Sequence, residues 1–122
     1  MGEAAIVQIY ADGFERLSPR DRILCWHLTR AAIAGRDIYY DQRYAHGLTM
    51  RRVLEAVVTH PGHTPPDVLD SIWQYTKLFW IHTGPFNNLT ARKFVPSCTP
   101  EAFEAAVREA VHAGASLPIE DG

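Results

Sequence analysis

The segment GRDIYYDQ, which runs from Gly35 to Gln42, carries two carboxylates at a spacing that suits chemistry. Asp37 and Asp41 are four residues apart, so a continuous helix would place them as neighbours on one face. Two carboxylates held together can act as a general acid and base or ligate a metal ion. Like charges at this spacing repel by roughly 0.2–0.5 kcal/mol. We therefore expect cations nearby.

Those cations are available, and they favour a different interpretation of the segment. Arg36 and Arg43 adjoin the two aspartates, and a second arginine pair follows a short link. Arginines beside carboxylates keep them ionised, whereas a catalytic pair needs a cleft and a raised pKa. We prefer a polar clamp that locks two helices in register, and we predict no catalytic residue. The predicted cluster comprises Arg36, Asp37, Asp41, Gln42, Arg51 and Arg52.

The histidines do not form a recognisable metal motif. The chain has six of them, and none occurs in an HExxH sequence. His60 and His63 are three apart in HPGH, but they belong to a proline-glycine loop with no cysteine close in sequence. GxSxG, the P-loop and GxGxxG are also missing from the sequence. We therefore predict no metal ligand and no cofactor in this chain.

A long helix must position the aspartates. Ser18 is a suitable N-cap and Pro19 a suitable first residue, and the apolar periodicity continues past Gly35 to Tyr39. We predict one helix from about residue 19 to residue 44. A glycine inside a helix costs about 1 kcal/mol relative to alanine, which close approach of another backbone would offset. The alternative is two helices broken at Gly35.

Three further helices are predicted from their caps and apolar stripes. Thr49, Thr64 and Thr99 are the expected N-caps, and His60–Gly62, Gly84 and Gly114 are the expected ends. The third helix has the widest apolar stripe, so we expect it at the centre. AIVQIY at residues 5–10 favours a short strand or arm, residues 86–98 an irregular link, and residues 115–122 a frayed tail. The sequence thus predicts one all-α domain over residues 1–122, a small bundle of four or five helices.

Composition excludes several functional classes. Apolar residues make up 47% and charged residues 21%, and the net charge is -2, which is typical of a globular domain without nucleic-acid partners. No apolar run is long enough for a membrane span, and MGEAAIVQIY lacks the features of a signal peptide. Cys25 and Cys98 then indicate reduced thiols in a cytoplasm, with a single disulfide as the alternative.

Two blocks of the sequence resemble a known family. LTRAAIAGRDIYYDQRYAHGLTMRRVLEAV resembles the N-terminal region of bacterial members of the dipeptidyl peptidase III family, through GRDI, DQ, Leu48, an arginine at 51 or 52, and Leu54-Glu55. GPFNNLTARKFVP resembles a glycine-led segment of that family that ends in KF, an aliphatic residue and proline. VQIYADGFERLSP is similar to the start of the same region, so the resemblance covers nearly the whole chain.

This resemblance implies a non-catalytic part of a larger enzyme. The family consists of two-lobed zinc exopeptidases that remove dipeptides from peptide N-termini. Their zinc ligands lie in an HExxGH motif and a later glutamate-bearing motif, and neither occurs here. The chain then corresponds to the helical part of the lobe opposite the zinc site. The resemblance implies that the full-length peptidase binds the zinc ion and the peptide substrate. The expected partner of this chain is the remainder of that larger peptidase.

Two other hypotheses remain open. The chain is alternatively a stand-alone binding module that associates with itself into a homo-oligomer. A third hypothesis gives it a peptidase activity of its own. A reading frame that continues past Gly122 into an HExxGH motif favours the first interpretation, and a stop codon there favours the second.

Overall fold

The chain folds as a small all-α bundle, as the sequence predicts. The computed structural model describes residues 7–117. A short 3-10 turn, Phe14–Arg16, precedes four helices, which are α1 (Pro19–Arg43), α2 (Gly47–Thr59), α3 (Pro66–His82) and α4 (Pro100–His112). The predicted strand or arm lies partly outside the described residues, and residues 7–10 form no regular element. The predicted tail also continues outside them. Within the described residues, β pairing is limited to one bridge between Phe86 and Lys93.

Helix α1 is continuous through Gly35, so the prediction of one long helix is confirmed and the alternative of a break is wrong. Ser18 caps it, because its hydroxyl accepts a hydrogen bond from the Asp21 N–H at 3.2 Å. The expected close approach of another backbone to Gly35 is not found among residues 7–117. A Cβ added there would meet only the Ile38 Cδ1 atom, at 4.0 Å.

Helix α2 begins at Gly47, and the expected N-cap at Thr49 is wrong. The chain reverses tightly after α1, and the Gly47 N–H donates to the Tyr44 carbonyl at 2.7 Å. A Cβ on Gly47 would overlap the carbonyl oxygen of Tyr40. Only glycine fits this close passage between helices, so Thr49 falls inside the first turn.

The ends of the other helices agree with their predicted caps in part. Thr99 caps α4 by accepting from the Ala102 N–H at 3.2 Å. The expected cap at Thr64 is wrong, because α3 starts after Pro65 and the buried Thr64 hydroxyl has no partner among residues 7–117. Gly84 closes α3 by donating to the Phe79 carbonyl, but the left-handed residue is Thr83, with φ of 51°.

The core lies between α2, α3 and α4. Helix α3 contributes the largest buried side chains, as its stripe predicts, but α2 is the helix that packs broadly against all three others. Helix α1 reaches this core through Tyr40, its single buried residue, which stacks on Phe79 with ring centroids 5.8 Å apart. The main buried residues are Leu54, Val57, Ile72, Phe79, Ala106 and Ala110.

Two smaller expectations concern membranes and thiols. None of the described helices combines the length and the apolar character that crossing a bilayer needs. Cys25 and Cys98 are both free, so no disulfide joins them.

Candidate functional site

An ion pair between α1 and α2 lies at the centre of the predicted polar cluster. The Arg51 Nη1 atom donates to the Asp37 Oδ1 atom at 2.5 Å. The side chain of Arg51 is only 13% exposed, while that of Asp37 is half exposed. A guanidinium this well covered is held in one geometry, so it fixes the position of α1 against α2.

Arg51 also contacts two groups besides Asp37, and one of them binds a third helix. Its Nε donates to the Glu55 Oε1 atom at 2.7 Å, one turn further along α2. Its guanidinium lies over the Tyr40 ring, 5.0 Å from the centroid. The same Glu55 oxygen accepts from the indole N–H of Trp80 at 3.1 Å. The network therefore connects α1, α2 and α3.

Burial and charge together shift two pKa values at this network. Burial acts to lower the pKa of Arg51, but its hydrogen bonds to Glu55 and Asp37 outweigh that effect and raise the pKa. Burial raises the pKa of Tyr40, and the nearby Arg51 charge opposes the rise only in part. Arg51 stays charged and Tyr40 stays neutral at physiological pH, which is the combination that the cation-π contact needs.

The structure places the remaining predicted residues less centrally. Arg36 reaches Asp37 at 3.6 Å and is well exposed. Asp41, Gln42 and Arg52 are also exposed, and none of them makes an ion pair or a side-chain hydrogen bond within the part of the chain that the structure describes. The two aspartates do not act as a pair, since only Asp37 contacts α2.

The geometry does not favour acid–base chemistry by these aspartates. A hollow of about 440 Å³ beside the network is lined by Arg36, Tyr40, Arg51, Glu55 and Trp80. Neither Asp37 nor Asp41 lines it, and both are exposed. A catalytic carboxyl is expected in a cleft that desolvates it. What the arrangement does chemically is hold α1 on the bundle.

Three members of the network are missing from the predicted cluster. Glu55 follows Arg51 by four residues, a helical ion-pair spacing that gives a local signal. Tyr40 follows Asp37 by three residues and points to the same side of α1, a weaker signal. Trp80 has no local signal, because it lies 25 residues from its partner Glu55.

The histidine loop between α2 and α3 is attached to α4 through its backbone. The His63 N–H donates to the Glu109 Oε2 atom at 3.0 Å, and a His60 ring nitrogen lies 3.0 Å from the Thr59 hydroxyl. Among residues 7–117, no three His, Cys, Asp or Glu side chains are grouped closely enough to hold a metal ion.

Helix α1 carries a second unusual feature, a set of exposed apolar side chains along most of its length. Leu28 is 60% exposed and Ile33 is 55% exposed, and neighbours on both sides of the helix are similar. We call this set the α1 apolar surface, which consists of Ile23, Leu24, Trp26, Leu28, Ile33, Ile38 and Tyr39. Monomeric proteins rarely leave so many large apolar residues together in water.

Comparison with known proteins adds no assignment to these two features. The clamp and the α1 apolar surface are what the structure offers as functional elements. No protein-family model matches the chain, and a search of curated proteins finds no match.

Proposed function

We propose that this chain is a non-catalytic helical domain whose α1 is covered by a further protein body. The sequence resemblance suggests that this body is the remainder of a dipeptidyl peptidase III-like zinc metallopeptidase, and that the domain belongs to the lobe opposite its zinc site. The observation that carries the proposal is the α1 apolar surface. Each leucine-sized side chain moved from water into an interface contributes about 1.5–3 kcal/mol, so covering it is strongly favourable.

The distribution of apolar residues around α1 supports a surrounding body. Leu24 and Ile33 are nine residues apart, which at 3.6 residues per turn places them on roughly opposite sides of the helix. Both are more than half exposed. Covering apolar residues on opposite sides of a helix takes more than one neighbouring element, whereas the single stripe of a surface helix needs only one.

The clamp fits the same proposal. Asp37, Arg51 and Tyr40 hold the C-terminal turns of α1 on the bundle, so the outer turns project at a defined angle. A neighbouring lobe can pack against a helix that is held in this way. In the larger enzyme the domain would bind no zinc. It would affect the peptide substrate only indirectly, by holding the lobe that forms one side of the cleft. The two free cysteines suit a cytoplasmic enzyme.

Self-association is the second candidate, and one side of α1 favours it. Leu24, Leu28, Ala31 and Gly35 recur at helical spacing, and the small residues among them permit close approach of a second helix. A two-fold dimer through this side would leave Trp26 and Ile33 in water. This is why we rank the surrounding lobe first.

The test uses the chain and a zinc-bearing lobe from a dipeptidyl peptidase III-family enzyme that lacks its own N-terminal helical region. We expect the two to form a complex, and we expect hydrolysis of a dipeptidyl-naphthylamide to rise when the chain is added. Leu28→Asp and Ile33→Asp should each prevent the complex, because a carboxylate would enter an apolar contact on either side. Leu89→Asp is the matched control, since Leu89 is 95% exposed and lies in the α3–α4 link.

Three results would count against the proposal. One is a complex that survives both α1 substitutions. Another is a homodimer, seen by light scattering, that Leu28→Asp dissociates and Ile33→Asp leaves intact, which would establish self-association through one side. The last is turnover by the chain alone with added zinc that a chelator abolishes, since that would show an independent peptidase.

A further inference from the structure

A groove beside α2 and α4 is apolar enough to hold a small molecule. It has a volume of about 590 Å³ and lies between α2, the α3–α4 link and α4. Ligand pockets commonly have volumes of about 300–1,000 Å³. Its apolar walls include Met50, Val53, Leu54, Val95, Pro96 and Phe103.

Two polar groups line the same groove without partners. Lys93 is the only charged residue of the lining, and no salt bridge within residues 7–117 involves it. Tyr75 is only 5% exposed as a residue and lines the groove, and no side-chain hydrogen bond within residues 7–117 involves it. Its hydroxyl is not among the buried side-chain atoms that lack a partner, so it is a donor that a ligand in the groove can reach.

The charges that line the groove favour a negatively charged ligand. Thr99 and Pro100, which begin α4, belong to the lining, and the N-terminal end of a 13-residue helix carries a partial positive charge. Lys93 adds a full positive charge. No acidic side chain lines the groove to oppose them. Both positive groups favour an anion over a cation in the groove, and the apolar walls favour a hydrocarbon chain.

We propose that this groove binds a small apolar monocarboxylate, such as a medium-chain fatty acid, with its chain along α2 and α4 and its carboxylate at Lys93. The Tyr75 hydroxyl donates a second hydrogen bond to the carboxylate. The occupant is a small molecule because one charged side chain and one hydroxyl donor fit one carboxylate. The site is distinct from the α1 apolar surface, and it does not depend on the peptidase resemblance.

The experiment is a titration of the isotopically labelled chain with decanoate below its micelle concentration, followed by methyl NMR. We expect saturable shifts of the Met50, Val53 and Leu54 methyl groups. Lys93→Gln should weaken binding roughly tenfold, and Tyr75→Phe roughly threefold to tenfold. Lys77→Gln is the matched control, because Lys77 is the only other lysine and lies over the Trp73 ring. Decanol should bind wild type about as weakly as decanoate binds Lys93→Gln.

A groove-filling variant tests the walls independently of charge. Val53→Phe should abolish binding. If that variant does not fold, Val95→Phe replaces it, because Val95 is 69% exposed in the link and its substitution should leave the core intact. The proposal is wrong if decanoate does not bind up to about 1 mM, if decylamine binds as tightly, or if Lys77→Gln and Lys93→Gln weaken binding equally. It is also wrong if a second copy of the chain occupies the groove, seen as a dimer that Val53→Phe or Val95→Phe dissociates.

Discussion

The carboxylate of Asp37 on α1 accepts a hydrogen bond from the guanidinium of Arg51 on α2, at 2.5 Å. This contact joins residues 14 positions apart and orients the long helix on the bundle. Its two ends differ in burial, since Arg51 is covered and Asp37 is half exposed. The cost of removing one end should therefore differ from the cost of removing the other.

Replacing Asp37 tests the exposed end of this pair. Asp37→Asn should lower the free energy of unfolding by about 0.5–1 kcal/mol, because a partly exposed ion pair is weakened by solvent. The matched substitution Asp41→Asn should leave stability unchanged, since Asp41 has no partner among residues 7–117. Urea unfolding measures both values. Equal losses in the two variants would mean that Asp41 also carries a clamp contact, as the sequence alone suggests.

Replacing Arg51 tests the covered end. Arg51→Met should cost about 2–3 kcal/mol, because it removes two carboxylate hydrogen bonds and the contact with the Tyr40 ring. Arg52→Met is the control, and this exposed neighbour should change stability by less than about 0.5 kcal/mol. A double-mutant cycle of Asp37→Asn with Arg51→Met should give a coupling energy well above error. Additive effects would rule out the direct pair.

The sequence indicates an arginine of α2 as the clamp partner, but the choice between Arg51 and Arg52 depends on tertiary structure. Adjacent helical residues point about 100° apart, so only one of them faces α1, and the crossing of the two helices decides which. The sequence predicts the N-caps Ser18 and Thr99 correctly, because each cap depends on a hydrogen bond to a backbone N–H three residues later. The prediction fails at Thr49, because the start of α2 is set by the passage of Gly47 past Tyr40.

Two glycines should respond to alanine in opposite directions. Gly47→Ala should destabilise the chain by about 1–3 kcal/mol or more, because the new methyl group overlaps the Tyr40 carbonyl and forces α1 away from α2. Gly35→Ala should stabilise it by about 0.5–1 kcal/mol, since the site is helical and open. Thermal unfolding of the two variants measures both changes. A destabilised Gly35→Ala monomer would show that something packs closely on this turn already.

Gly35→Ala also separates the isolated chain from its proposed complex. A covering lobe that approaches α1 closely at Gly35 would lose affinity when a methyl group is added, although the free chain becomes more stable. The complex with the zinc-bearing lobe should therefore weaken while the melting temperature of the free chain rises. Unchanged affinity would place the contact elsewhere on the helix.

Tyr75 should make the chain less stable in alkali. Burial raises the pKa of Tyr75 from 10.0 to about 12, with a smaller contribution from Tyr44. Between these pH values the unfolded tyrosine loses its proton while the folded one keeps it, so the free energy of unfolding falls as pH rises. The contribution is complete below pH 10, and Tyr40, whose pKa is also raised by burial, acts in the same direction.

Urea midpoints measured from pH 9 to pH 12 would show this loss, and Tyr75→Phe provides the comparison. Phenylalanine has no proton to lose, so the variant should show a shallower decline with pH. A decline of the same slope in both proteins would mean that other groups account for the alkaline sensitivity.

The N-terminal turns of α1, residues 20–33, should be the helical segment that is least protected from amide hydrogen exchange in the free chain. Residues 20–33 are exposed apart from the half-buried Cys25, so their amides are protected only by bonds within the helix. Residues 72–79 of α3 carry the core, and opening them requires global unfolding. Amide hydrogen exchange should therefore be orders of magnitude faster in residues 20–33 than in residues 72–79.

Binding of the zinc-bearing lobe should slow amide exchange in α1 selectively, because the lobe covers both sides of the helix. Protection of α1 in the free chain at low concentration would contradict the view that its apolar surface is uncovered there.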